Sequence, residues 1–148
     1  MADVLRAIEH NAQLQFELGA QFEKEKEFAK ALRWFKQAAL NDHLQAAYRA
    51  GMLCVGNRRW RKDALFWFQK AASHYYAPAE YQISLIYSAG VEVEADVEKA
   101  AHWLRLAIQH GSKEALLKLK MVSSNLPSLK TNHEPKSIGK VAEKGGYL

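Results

Sequence analysis

One cysteine (Cys54) and three prolines are all that this 148-residue chain has of the residues that most constrain a backbone. A single thiol excludes an internal disulfide framework and a paired-cysteine metal site. No apolar run approaches the roughly 18 residues that a membrane-spanning helix requires. The N-terminus carries Asp3 and Glu9 and has no apolar core ending in small residues, so a secretory leader is not expected and a cytoplasmic location is. Motifs of chemistry are missing too: there is no HExxH, no Gly-rich phosphate loop and no G-x-S-x-G. Acidic residues between Glu92 and Glu98 alternate with Val and Ala and lack the ligand order of a calcium loop. Six histidines are scattered, and His43, His74 and His110 fall near expected helix C-termini, where a cation or donor is favourable. Cys54 occupies an apolar helix position and reads as a core thiol. The chain is therefore expected to be no enzyme and to hold no cofactor or metal.

Charge of one sign is also scarce in the body. The net charge is +5, but residues 1–112 hold fourteen Lys and Arg against thirteen Asp and Glu, whereas residues 113–148 hold seven Lys against three Glu. The basicity belongs to the end of the chain, which weakens a nucleic-acid argument drawn from overall charge.

What is present is a repeat. Ala31-Leu-Arg-Trp34-Phe-Lys-Gln-Ala38 recurs as Ala64-Leu-Phe-Trp67-Phe-Gln-Lys-Ala71 and, with drift, as Ala100-Ala-His-Trp103-Leu-Arg-Leu-Ala107, at spacings of 33 and 36. Ala46, Ala79 and Ala115 keep the same two spacings. Each unit reads as two helices, with small residues allowing close approach and Trp filling the space between units. Gly56-Asn57, Gly90 and Gly111 read as stops, Asp96 and Ser112 as N-caps, and Pro78 as a first helical residue. The expected helices are 3–25, 28–41, 44–56, 60–74, 77–89, 96–110 and 113–124, which make three pairs and a closing helix. An all-α repeat domain over 1–126 with a flexible basic tail over 127–148 follows.

Residues 77–112 resemble the Sel-one-like repeat, a relative of the tetratricopeptide repeat, through Ala79, Tyr87, Gly90, Asp96, Lys99-Ala100, Trp103, Ala107 and Gly111. Ile83-Ser84 stands where that family has Leu-Gly. Residues 12–45 fit the plain tetratricopeptide spacing, with Gly19, Ala31, Phe35 and Ala38 in register, and the unit at 44–76 is intermediate. The resemblance implies a right-handed α-α superhelix that binds a protein or peptide on its concave face, without cofactor or catalysis. Carried over by position, the groove residues are Phe16, Tyr48, Tyr81 and Leu117 in one row, with Ala20, Met52, Leu85 and Met121 four residues on. A carboxylate clamp of the tetratricopeptide kind is excluded, because only Arg49 among its expected positions carries a cation.

Three further features invite partners. Arg58, Arg59, Trp60, Arg61 and Lys62 gather four cations around an aromatic ring, which makes a nucleic-acid-binding solenoid the alternative function. The same loop one repeat later carries Glu92, Glu94, Asp96 and Glu98, so charge matching inside the molecule competes with an acidic partner. The tail spans about 26 Å root-mean-square, enough to return Ile138, Tyr147 or Leu148 to the groove. A short array with poorly covered ends also admits weak self-association.

Overall fold

The computed structural model describes residue 6 and residues 8–125, so the first residues of the chain and the tail over 127–148 lie outside the described residues. From residue 12 onward, seven α-helices follow one another among the described residues: α1 (Ala12–Lys24), α2 (Phe28–Leu40), α3 (Leu44–Gly56), α4 (Ala64–Ala72), α5 (Ala77–Ala89), α6 (Val97–Gln109) and α7 (Lys113–Ser124). A 3₁₀ turn over Arg61–Asp63 leads into α4. Two compact units divide between Ala115 and Leu116.

In the first unit each helix packs on the next in chain order, α1 on α2, α3 on α4 and α5 on α6, with α2–α3 and α4–α5 joining the pairs. The chain thus forms an all-α solenoid of three helix pairs. Its core is continuous: Ala31, Leu32 and Phe35 of α2, Ala46, Ala50 and Cys54 of α3, and Trp67 and Phe68 of α4 are buried together.

Four boundaries differ from expectation. The helix expected over 3–25 is interrupted at Asn11, whose side chain accepts from Leu14 N at 3.1 Å and caps α1. Apolar periodicity continues across that residue, and a side chain that competes with the backbone breaks it. The fourth helix opens as 3₁₀ and ends at Ala72 rather than at 74. Pro78 is the second residue of α5, not the first. Gly56 ends α3 without a left-handed turn, and the chain leaves through an extended Asn57. Asp96 and Ser112 cap as expected, accepting from Lys99 N at 3.0 Å and Ala115 N at 3.1 Å.

Glycine matters most inside the pairs. A Cβ on Gly19 would stand 2.6 Å from the Phe35 ring, and one on Gly51 would stand 2.6 Å from the Phe68 ring. Both rings are fully buried, so each of the first two pairs closes with a ring packed against a glycine. In the third pair the corresponding positions are Ser84 and Leu104, a larger residue opposite a smaller one.

The turns between pairs repeat as well. Asp42 and Tyr75 hold φ of 63°, and Gly111, at the matching place, holds 95°. Only the third uses the residue that enters this region freely.

Candidate protein-binding groove

The candidate row of the sequence reading lies on α1, α3 and α5, with its last members on α7. Phe16 is half-buried: its ring stacks on His43 at 4.5 Å and tilts against Phe35 at 5.7 Å. Tyr48 is half-buried, with Phe68 at 6.0 Å and Tyr76 edge-on at 5.5 Å. Burial raises the Tyr48 hydroxyl above its ordinary pKa, with Tyr76 and Glu114 adding to it and Arg49 opposing; burial likewise raises Tyr76. Tyr81 and Leu85 are half-buried, Ala20 packs against the core, and Met52 is 38% exposed. Phe16 and Tyr48 thus join neighbouring repeats through their rings and remain partly accessible. Leu117 and Met121 belong to the second unit and are 60% and 55% exposed.

Polar groups also bind one repeat to the next. Arg49 pairs with Glu23 and lies 5.6 Å from the Phe35 ring centre. His43 acts differently from the expected C-terminal donor. Its Nδ1 accepts from Ala46 N at 3.1 Å and caps α3, which leaves Nε2–H to donate to Gln13 Oε1 at 3.0 Å. Burial lowers its pKa, against a smaller opposing hydrogen-bond effect. Protonation removes the acceptor, so this contribution to stability is present above the unfolded value near 6.5 and is lost as pH falls through the folded value. Between about pH 7 and 5 the wild-type chain is expected to lose about 1 kcal/mol, an N-cap's usual worth, relative to His43→Asn, which keeps an acceptor that does not titrate. Parallel thermal melts across that range check it, and identical slopes refute it.

Two buried side chains went unremarked in the sequence. Gln15, fully buried, donates to Glu9 O at 2.9 Å and accepts from Asn41 Nδ2 at 3.0 Å. Glu80, 1% exposed, accepts from His110 Nδ1 at 2.8 and 2.9 Å. The two occupy matching places, so a polar latch ties the first helix of a pair to the end of its second. The middle pair has Ala47 there, opposite an exposed His74.

Cys54 is fully buried and burial pushes its thiol up to about 11, which suits packing and not nucleophilic attack. Native protein is expected to react with a thiol reagent at least a hundredfold more slowly than unfolded protein. Comparable rates would show that the site opens.

The basic loop and its acidic counterpart approach each other without pairing. Arg61, Lys62 and Glu92 line one cleft of about 240 Å³ with Val55, Leu65 and Leu85. Among the described residues, none of Arg58, Arg59, Arg61 or Lys62 stands within 4.0 Å of a carboxylate. Trp60 is half-buried and lines a second cleft of about 230 Å³ with Phe28, Met52 and Leu53. That packing reduces the ring face on which the nucleic-acid alternative depends. No described helix is long and apolar enough to cross a membrane.

This geometry is that of a helical-repeat protein, and comparison with known proteins names the class. The Sel1 repeat model matches residues 12–43, 61–76 and 77–112, and the chain belongs to the Sel1 repeat family. The match takes in residues 12–43, the repeat whose spacing alone reads as plain tetratricopeptide. A Sel1 repeat protein from Oxalobacter formigenes superposes with a TM-score of 0.68 at 32% identity, over 74% of this chain and 48% of that one. A protective antigen of uropathogenic Escherichia coli displaying an SLR fold superposes with a TM-score of 0.59 at 24% identity, over 76% and 29%, and shares the fold. Chitin synthase regulatory factor 2 of Schizosaccharomyces pombe is 35% identical over 90 residues, 57% of this chain and 17% of that relative. The chain therefore spans about half of the Oxalobacter structure and less than a fifth of the yeast relative.

Proposed function

We propose that residues 1–126 form a non-catalytic interaction scaffold that grips a protein or peptide partner in the concave groove of α1, α3 and α5. The observation that supports this reading is the row of Phe16, Tyr48 and Tyr81, half-buried and partly accessible beside Met52 and Leu85. Rings held in place by packing present their remaining apolar area at little entropic cost, and a methionine adapts to an irregular surface. The yeast relative, by name a regulatory factor, supports a role exercised through another macromolecule.

A displayed library of helical and extended peptides, selected on the wild-type protein, tests it. Selected peptides are expected to lose at least tenfold in affinity for Tyr48→Ala/Tyr81→Ala. A variant that still folds and binds them equally well would overturn the groove.

A further inference from the structure

The loop joining α3 to α4 is the common wall of three clefts. On one side, Arg61 and Lys62 edge the apolar cleft of about 240 Å³ between the second and third repeats. On the other, Asn57 and Trp60 edge the cleft of about 230 Å³ that holds Phe28, Met52 and Leu53. Trp60 also borders a third, of about 320 Å³, with Leu32, Arg33 and Lys36. Arg58, Arg59 and Lys62 are exposed, and the loop's four cations have no carboxylate within ion-pair distance among the described residues.

From this arrangement we infer that the α3–α4 loop is a second docking surface, which takes an extended acidic peptide with apolar anchor residues on either side of the loop. Each flanking cleft has room for a leucine or phenylalanine side chain. A segment laid across the loop seats one such side chain in each and brings its carboxylates over Arg58, Arg59 and Lys62. Charge selects the occupant: four cations stand against Asp63 in the same stretch and Glu92 on the far lip. Arginines beside a partly buried tryptophan are the usual anchors of a small interface. A single-stranded nucleic acid is the poorer fit, because successive bases need successive open rings and the loop offers only Trp60, with part of its face covered. The surface does not rest on the concave groove, although Met52 and Leu85 border both.

Fluorescence polarisation with a designed series decides it: labelled peptides with two apolar anchors among Asp and Glu, the same peptides with Lys for each acid, and a short single-stranded oligonucleotide. The acidic peptides are expected to bind the wild-type chain and to lose at least tenfold to Arg58→Glu/Arg59→Glu. A similar loss is expected with Ala89→Phe, which narrows the first cleft from its exposed rim. Tyr48→Ala/Tyr81→Ala is expected to bind them as the wild type does, so failure of the groove is read separately. Melting temperatures confirm that each variant folds. The inference is overturned if no acidic peptide binds, if the charge reversal leaves binding unchanged, or if the oligonucleotide binds this loop more tightly than every acidic peptide.

Discussion

Gly51→Ala is expected to lower stability by about 2 kcal/mol and the melting temperature by roughly 8 °C, in a helix where the same change would ordinarily stabilise. Alanine gains about 1 kcal/mol of helix propensity over glycine. The opposing effect is steric. The new methyl would stand 2.6 Å from the Phe68 ring, where carbon atoms normally rest about 3.5–4.0 Å apart. Phe68 is fully buried, so the ring has no open side to retreat to and the helices must part. The third repeat suggests the remedy, since it has a larger residue at Ser84 and a smaller one at Leu104. Phe68→Leu alone is expected to cost about 1 kcal/mol as a large-to-small change. Combined with Gly51→Ala it should restore stability, with coupling of at least about 1 kcal/mol in a double-mutant cycle. Additive effects, or a neutral Gly51→Ala, would show that the ring and the glycine do not define the closure of the pair.

The latch in the third pair carries the other large effect. His110→Ala leaves the Glu80 side chain, 1% exposed, without its hydrogen-bond partner, and orphaning a buried polar group costs about 1–3 kcal/mol. The first pair performs the same task with neutral groups, Asn41 donating to Gln15 at 3.0 Å. Glu80→Gln/His110→Asn transplants that arrangement and is expected to fall within about 1 kcal/mol of the wild type, because the buried side chain again has a hydrogen-bond partner. Chemical denaturation of the single and double variants measures both. A double variant as unstable as His110→Ala would mean that the charge itself is required.

Much of the fold was legible because the solenoid repeats its chemistry. Ala-x-x-Trp-x-x-x-Ala and the Ala46, Ala79, Ala115 series place the helix pairs, and Asp96 and Ser112 mark two starts correctly. What escaped is whatever the period does not carry. Asn11 interrupts an apolar pattern that runs on past it. Residue type groups His43 with His74 and His110, yet its repeat position differs, since Asn41 is the true counterpart of the two others. It therefore caps the following helix and accepts a hydrogen bond instead of donating near a C-terminus. Gln15 and Glu80 read as ordinary polar residues on a helix face, because only the packed structure brings Asn41 and His110 over them. The charged loops were correctly placed as neighbours, but proximity did not become pairing: Arg61 and Lys62 share a cleft with Glu92 and stop there. Position alone assigns the candidate groove row, whereas the packing of its Phe16 and Tyr48 rings depends on Phe35, Phe68 and Tyr76.

Asp42, Tyr75 and Gly111 mark the point at which one helix pair ends and the next begins. A duplication of the gene segment between two such turns would deliver a complete pair together with its own corner, and the chain would pass into it without rethreading. Arrays of this kind can therefore lengthen or shorten by whole modules. Evolution can then set the number of repeats separately from the chemistry displayed on any one of them.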